Sequence, residues 1–205
     1  MIDLEVQKNN FKNHKATFTD YGDIKILDFK EPASNKYRIR FLFEEDYFRL
    51  HISGDLGELI ATNYNNMCWK YFLDHYTNNI GYFREKINCH NRAIYTYDED
   101  YAKEDLKERI ADYEWEACIR TMYPYDDSDE EAIESFFDDV LEDFSDERGL
   151  SQSGYDKLSE LDCDAWEYAG DIGKRPTGIL DLYMLAFKLA VDALKKEEGS
   201  HTKKQ

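Results

Sequence analysis

Carboxylates are the residues of this chain whose spacing could do chemistry. Twelve Asp and Glu lie between Asp126 and Glu147, and no Lys or Arg occurs between Arg120 and Arg148. Ionised carboxylates only accept hydrogen bonds and attract cations, so such a run suits a metal ion, acid–base work or a basic partner. The metal options lack their spacing. Asp126-Asp127-Ser128-Asp129 has neither the turn glycine nor the distal bidentate Glu of a calcium loop. Cys89-His90, with Cys68, His75 and His51 as neighbours in sequence, forms no Cys-x2-Cys or His-x3-His pair for zinc. A nuclease centre needs acids converging from separate elements, whereas these are spread along one helix surface.

Nucleotide and nucleophile motifs are equally weak. Gly170-Asp171-Ile172-Gly173-Lys174-Arg175-Pro176-Thr177-Gly178 departs from Gly-x4-Gly-Lys-Ser/Thr, and no strand is expected before it. It reads as a connecting loop whose Pro and Thr start the last helix. Gly54-Asp55-Leu56-Gly57 reads as a hairpin turn, and no Gly-x-Ser-x-Gly elbow occurs. The expectation is therefore no catalytic residue, no metal and no cofactor. The contact residues are expected to be Asp126, Asp127, Asp129, Glu130, Glu134, Asp138, Asp139, Glu142 and Asp143.

One helix must present them. Ile133, Phe136, Phe137, Val140, Leu141 and Phe144 recur at three-and-four spacing, and Ser128 with Glu131 is a capping box. Read as helix throughout, the 22 residues from Asp126 to Glu147 span roughly 33 Å. That is about one charge per 2.8 Å, against roughly one per 1.7 Å along duplex DNA. Tyr113, Trp115, Tyr123, Tyr125, Trp166 and Tyr168 are interleaved with acids nearby. Rings among carboxylates suit an Arg-rich protein surface, and the same rings would equally fill a helical core.

Charge is segregated along the 205 residues. Residues 1–97 carry 13 acidic and 13 basic side chains, residues 98–171 carry 27 and 6, and residues 172–205 carry 4 and 7. The net of -18 argues against direct binding to nucleic acid or an anionic membrane. With 42% hydrophobic and 15% aromatic residues, the chain can fill a core. No window reaches the ~18 apolar residues of a membrane span. Met1-Ile2-Asp3-Leu4-Glu5 opens no signal peptide, so a host-cell cytoplasm with Cys68, Cys89, Cys118 and Cys163 as free thiols is expected.

The remaining elements predict an α+β fold. Short runs of period-two alternation at Ala16–Tyr21, Ile24–Phe29, Tyr37–Phe43, Phe48–Ser53 and Leu59–Thr62 predict an antiparallel meander of four or five strands. From Asn66 the chain reads as helical: Met67–Tyr76, Gly81–Ile87, a long helix from Asp98 to Met122, the acidic helix, Ser151–Leu161 and Thr177–Lys196. Tyr113, Ala117 and Ile119 are expected to face inward on the long helix. The division expected is a meander with short helices over 14–97 and an acidic helical region over 98–198, with flexible ends at 1–13 and 199–205; no clear linker separates the two, so one compact domain is the alternative.

Over Arg49-Leu50-His51-Ile52-Ser53-Gly54-Asp55-Leu56-Gly57-Glu58-Leu59-Ile60-Ala61-Thr62-Asn63-Tyr64-Asn65-Asn66 the sequence resembles an N-terminal module of phage and prophage proteins, a likeness confined to residues ~14–100. The acidic remainder resembles anti-CRISPR and DNA-mimic inhibitors in its charge character rather than through a motif. That resemblance implies a small non-enzymatic inhibitor occupying the basic nucleic-acid channel of a host defence nuclease, such as a Cas9-type effector, in competition with DNA or guide RNA. An immunity protein or antitoxin for a basic nuclease toxin is a second reading. An unrecognised phage hydrolase or nuclease is a third, and an oligomerising phage structural protein a fourth.

Overall fold

The computed structural model describes residues 2–34, 36–124 and 126–201, with the backbone alone over 197–201. Asn35 of the second expected turn, Tyr125 at the head of the acidic stretch, and residues 202–205 of the expected tail lie outside the described residues. The fold is α+β. In chain order it runs α1 (Leu4–Asn10), β1 (Lys15–Asp20), β2 (Ile24–Lys30), β3 (Ile39–Glu44), β4 (Arg49–Gly54) and β5 (Leu59–Thr62). Then come α2 (Trp69–Asp74), α3 (Ile80–Arg84), β6 (Ile87–His90), β7 (Tyr95–Tyr97), α4 (Glu99–Tyr113), α5 (Glu116–Met122) and α6 (Asp129–Val140). The chain closes with α7 (Gln152–Leu161), β8 (Lys174–Pro176) and α8 (Ile179–His201). Among the described residues no helix is long and apolar enough to cross a membrane.

Two compact units result, one of residues 1–94 with 177–205 and one of residues 95–176. The boundary expected at 97/98 moves a few residues. The larger difference is that α8 belongs with the meander instead of with the acidic helices. Its apolar side is the reason: Phe187 is fully buried with its ring 5.0 Å from that of Phe41 and 4.8 Å from that of Phe72. A 23-residue helix with Tyr183, Ala186, Phe187 and Ala190 buried needs a large apolar partner, and the sheet's inner face is one.

The first unit is a six-stranded antiparallel sheet in the order β1-β2-β3-β4-β5-β6, with α8 covering one face. Strict alternation sorts the residues. Leu27, Phe29, Ile39, Phe41, Phe43, Leu50, Ile52, Leu59 and Ala61 are buried. The alternating positions face outward as cross-strand pairs. Asp28 stands opposite Arg40, and Glu44 opposite Arg49. The sixth strand corrects the helical reading of residues 81–87. α3 stops at Arg84, and Ile87–His90 pairs with β5. The β4–β5 turn is the expected hairpin, with Gly54 at φ 140° held against the Arg38 carbonyl where a Cβ would collide. The polar lead over 1–13 is also ordered in part: Asp3 caps α1 through bonds from Glu5 and Val6 N–H, and Phe11 is buried against the Phe29 ring.

The second unit packs α4, α5, α6 and α7 around one core that includes Leu106, Ile110, Ile119, Phe136, Phe137, Val140 and Leu158. The short β7–β8 pair shows that the chain beyond Asn66 is not wholly helical. Asp105 on α4 accepts two bonds from Arg175, at 2.6 and 3.0 Å, and one from Gly173 N–H at 2.8 Å. That bidentate contact ties β8 to α4.

Candidate functional site

α6 forms for the reasons legible in its residues. Ser128 has extended backbone and its hydroxyl accepts the Glu131 N–H at 3.2 Å. The Glu131 carboxylate reaches back one residue further than a capping box requires, accepting the Asp127 N–H at 2.8 Å. Asp129, Glu130 and Glu131 in the first turn complement the helix dipole. Ala132, Phe136, Phe137 and Val140 are buried, so the seam is as expected.

The helix ends at Val140, seven residues before Glu147. Two features stop it. Asp143 takes a left-handed φ of 57°, and Ser145 and Gly149 exchange backbone bonds at 3.0 and 2.7 Å that close a small loop. Next, α7 closes on the end of α6: Gly154 abuts the Val140 carbonyl where only a glycine fits. The Ser151 hydroxyl, which caps α7, also donates to the Glu142 carbonyl at 2.7 Å. The 12-residue helix is thus about 18 Å long rather than the roughly 33 Å of a continuous one.

The expected contact residues divide into three groups. Glu130, Glu134 and Asp138 stand four residues apart on one exposed face, and their carboxylates make no hydrogen bond or ion pair with any described residue. Together with Asp126, Glu131 and Ser135 they line an open depression of about 390 Å³. Asp126 is half-buried there, its Oδ2 enclosed and without a hydrogen-bond partner among the described residues. A second group is engaged within the unit. Asp129 lies 3.6 Å from Arg120, whose guanidinium also donates to the Asp126 and Ser128 carbonyls at 2.5 and 3.2 Å. Asp139 accepts the Tyr123 hydroxyl at 2.6 Å and lies 3.6 Å from Lys157. Burial first, and that bond second, push the Tyr123 phenol far above its ordinary range. The third group is outside the helix: Asp127 precedes its cap, and Glu142 and Asp143 follow it on the turn. Glu131, absent from the expected set, lines the depression; its capping role was legible, its position there was not.

The continuous wall of charge therefore becomes a stripe. Its three carboxylates repeat every four residues, or about 6 Å, against roughly 3.4 Å per charge along one DNA strand. Each like-charge neighbour costs about 0.2–0.5 kcal/mol, a small sum beside the four buried side chains opposite. The unit around it holds 27 acidic and 8 basic side chains, net -19.

The long helix expected over Asp98–Met122 is two helices with an elbow. Asp98 caps α4 as expected, but Glu114 takes φ 55°, ψ 42° and ends it. Trp115 N–H bonds the Ile110 carbonyl at 3.0 Å and Glu114 N–H that of Ala111 at 3.4 Å, a Schellman closure without its usual glycine. Tyr113, at the end of α4, and Ala117, past the break, are exposed against expectation, while Ile119 is buried. Of the interleaved aromatics, Tyr113 and Trp166 are exposed at 59% and 66%. Trp115, Tyr123 and Tyr168 pack against the core.

The histidines and cysteines do not gather. All four cysteines are free thiols, His51 bonds Glu44 at 2.8 Å, and His90 bonds the Arg92 carbonyl at 2.7 Å. Among the described residues one trio, Asp162, Cys163 and Asp164, brings possible ligand atoms within 4.8 Å of one another. Asp162 in that trio already accepts the Tyr168 hydroxyl and the Asp164 N–H, at 2.8 and 2.9 Å. Comparison with protein families, with curated proteins and with solved structures finds no match to this chain.

Proposed function

We propose that this chain is a non-enzymatic binding protein whose acidic unit engages the basic nucleic-acid channel of a host defence nuclease, Cas9-type in kind, in competition with DNA or guide RNA. The reading rests on the Glu130–Glu134–Asp138 stripe: three exposed carboxylates in register, paired with no cation among the described residues, in a unit of net charge -19. A surface of this kind attracts Lys and Arg side chains, associates fast and weakens as salt screens it. The acids flanking the stripe on α6 and its adjoining turns supply long-range steering rather than contact.

The test is displacement of a fluorescent DNA duplex from a guide-loaded Cas9-type effector, measured from low to high salt. Wild type displaces the duplex, and its apparent affinity falls as salt rises. Reversing the stripe (Glu130→Lys, Glu134→Lys, Asp138→Lys) lowers that affinity at least about tenfold, the equivalent of about 1.4 kcal/mol. Competition by the reversed protein at wild-type strength, or activity that instead follows an added divalent metal, would sink the proposal.

A further inference from the structure

The elbow between α4 and α5 offers a more selective contact than charge alone. Tyr113 is 59% exposed, and its ring stacks on that of Trp115 with centroids 5.0 Å apart and planes 20° apart. Trp115 packs on the unit's core, so the stack is anchored at one end and open at the other. Asp112, Glu114 and Glu116 flank the stack in sequence, all exposed. Glu114, Glu116 and Asp129 line a depression of about 730 Å³ in which Arg120 is the one cation among the described residues. One turn back on α4, Arg109 lays its guanidinium 3.3 Å from the centre of the Tyr168 ring. The unit thus makes internally, four residues away on the same helix, the contact that Tyr113 leaves open.

We propose that this elbow holds an arginine side chain of an arginine-rich protein segment, its guanidinium flat on Tyr113 and bonded to the Glu114 or Glu116 carboxylate. This deepens the reading above, because it selects among basic partners. A guanidinium is planar and weakly hydrated, so it lies flat on a ring while its fork bonds a carboxylate; an ammonium is a compact, strongly hydrated point charge and makes the same double contact more weakly. The elbow's charge is complementary to either, and only its ring distinguishes them. The stripe on α6 has no ring and ranks basic partners by charge alone.

Calorimetric titration of the full chain with hexa-arginine and with hexa-lysine at low salt separates the two surfaces. Wild type binds hexa-arginine about fivefold more tightly than hexa-lysine. Tyr113→Leu, at an exposed position, brings the two affinities to parity. The stripe reversal weakens both peptides and leaves their ratio in place. Equal affinities in wild type, or a preference that survives Tyr113→Leu, overturn the elbow while leaving the stripe standing. A ratio abolished by the stripe reversal overturns it too, since the preference then belongs to α6.

Discussion

The two units hold equal numbers of charged side chains and treat them in opposite ways. The sheet unit holds 17 acidic and 18 basic side chains, the acidic unit 27 and 8. In the sheet unit, antiparallel register sets opposite charges face to face. Arg40 donates twice to Asp28 at 2.7 and 2.8 Å, and Glu44 receives His51 at 2.8 Å with Arg49 at 3.6 Å. In the acidic unit, helical spacing sets Glu130, Glu134 and Asp138 in a row of like sign with no ion pair to a cation among the described residues. A ladder pairs residues distant in sequence, so their signs can differ by selection of each strand. A helix face is drawn from one short segment and inherits its composition. Charge in the first unit is spent on the fold, and in the second it is left for a partner.

That contrast can be broken at its strongest point first. Phe187→Ala removes the ring that meets Phe41, Phe43, Trp69 and Phe72. It should cost the sheet unit about 3–5 kcal/mol, read by urea unfolding with Trp69 as the reporter. The acidic unit's transition, followed through Trp115 and Trp166, should remain where it is.

Alkaline pH should act on both units, since the Tyr123 and Tyr168 phenols of the acidic unit are raised too, and in the sheet unit its effect can be traced to two tyrosines. Burial pushes the Tyr76 and Tyr183 phenols up to about 12, with a weaker opposing hydrogen bond from Asn63 at Tyr76. Both folded values lie above the unfolded one of about 10. Their stabilisation is therefore complete below about pH 10 and disappears as pH rises toward 12, where unfolding releases the proton. Tyr183→Phe should flatten that loss by about 1.4 kcal/mol per pH unit, measured by denaturant midpoints across the range.

Salt should act the other way round. At about 1 M ionic strength, where the Debye length is about 3 Å, the acidic unit should gain stability as its self-repulsion is screened. The sheet unit, with matched charges, should change little. Equal shifts in both transitions would mean that the carboxylates are neutralised in ways the contrast denies.

The smallest effect sharpens the elbow. Glu114→Gly places the residue suited to φ 55° at that turn and should stabilise the acidic unit by about 1 kcal/mol. It should also weaken hexa-arginine binding, so a protein that is at once more stable and a poorer binder separates role from fold.

Much of this was legible in residue order. Alternation over Tyr37–Phe43 and Phe48–Ser53 marked strands, Ser128 and Ser151 marked helix starts, and the Ile133-to-Val140 spacing marked the buried seam. Other features were hidden for identifiable reasons. Ile87–His90 is four residues long with mostly exposed side chains, so it carries no hydrophobic period and exists because β5 offers an edge. The bend at Glu114 has no Gly or Pro to announce it, and the close of α6 depends on Gly154 meeting the Val140 carbonyl.

Local sequence by itself determined the first five strands and where most helices begin, which side of those elements is apolar, and that the negative charge lies in the middle of the chain. Those properties follow from backbone sterics and from side-chain spacing within a few residues. Tertiary structure alone decided that α8 completes the sheet unit, and that Asp129 and Asp139 find cations while Glu130, Glu134 and Asp138 do not. It also decided that Tyr113 faces outward. Each of those outcomes turns on which residues distant in sequence come within a few ångströms, and a chain read in order holds no record of distance.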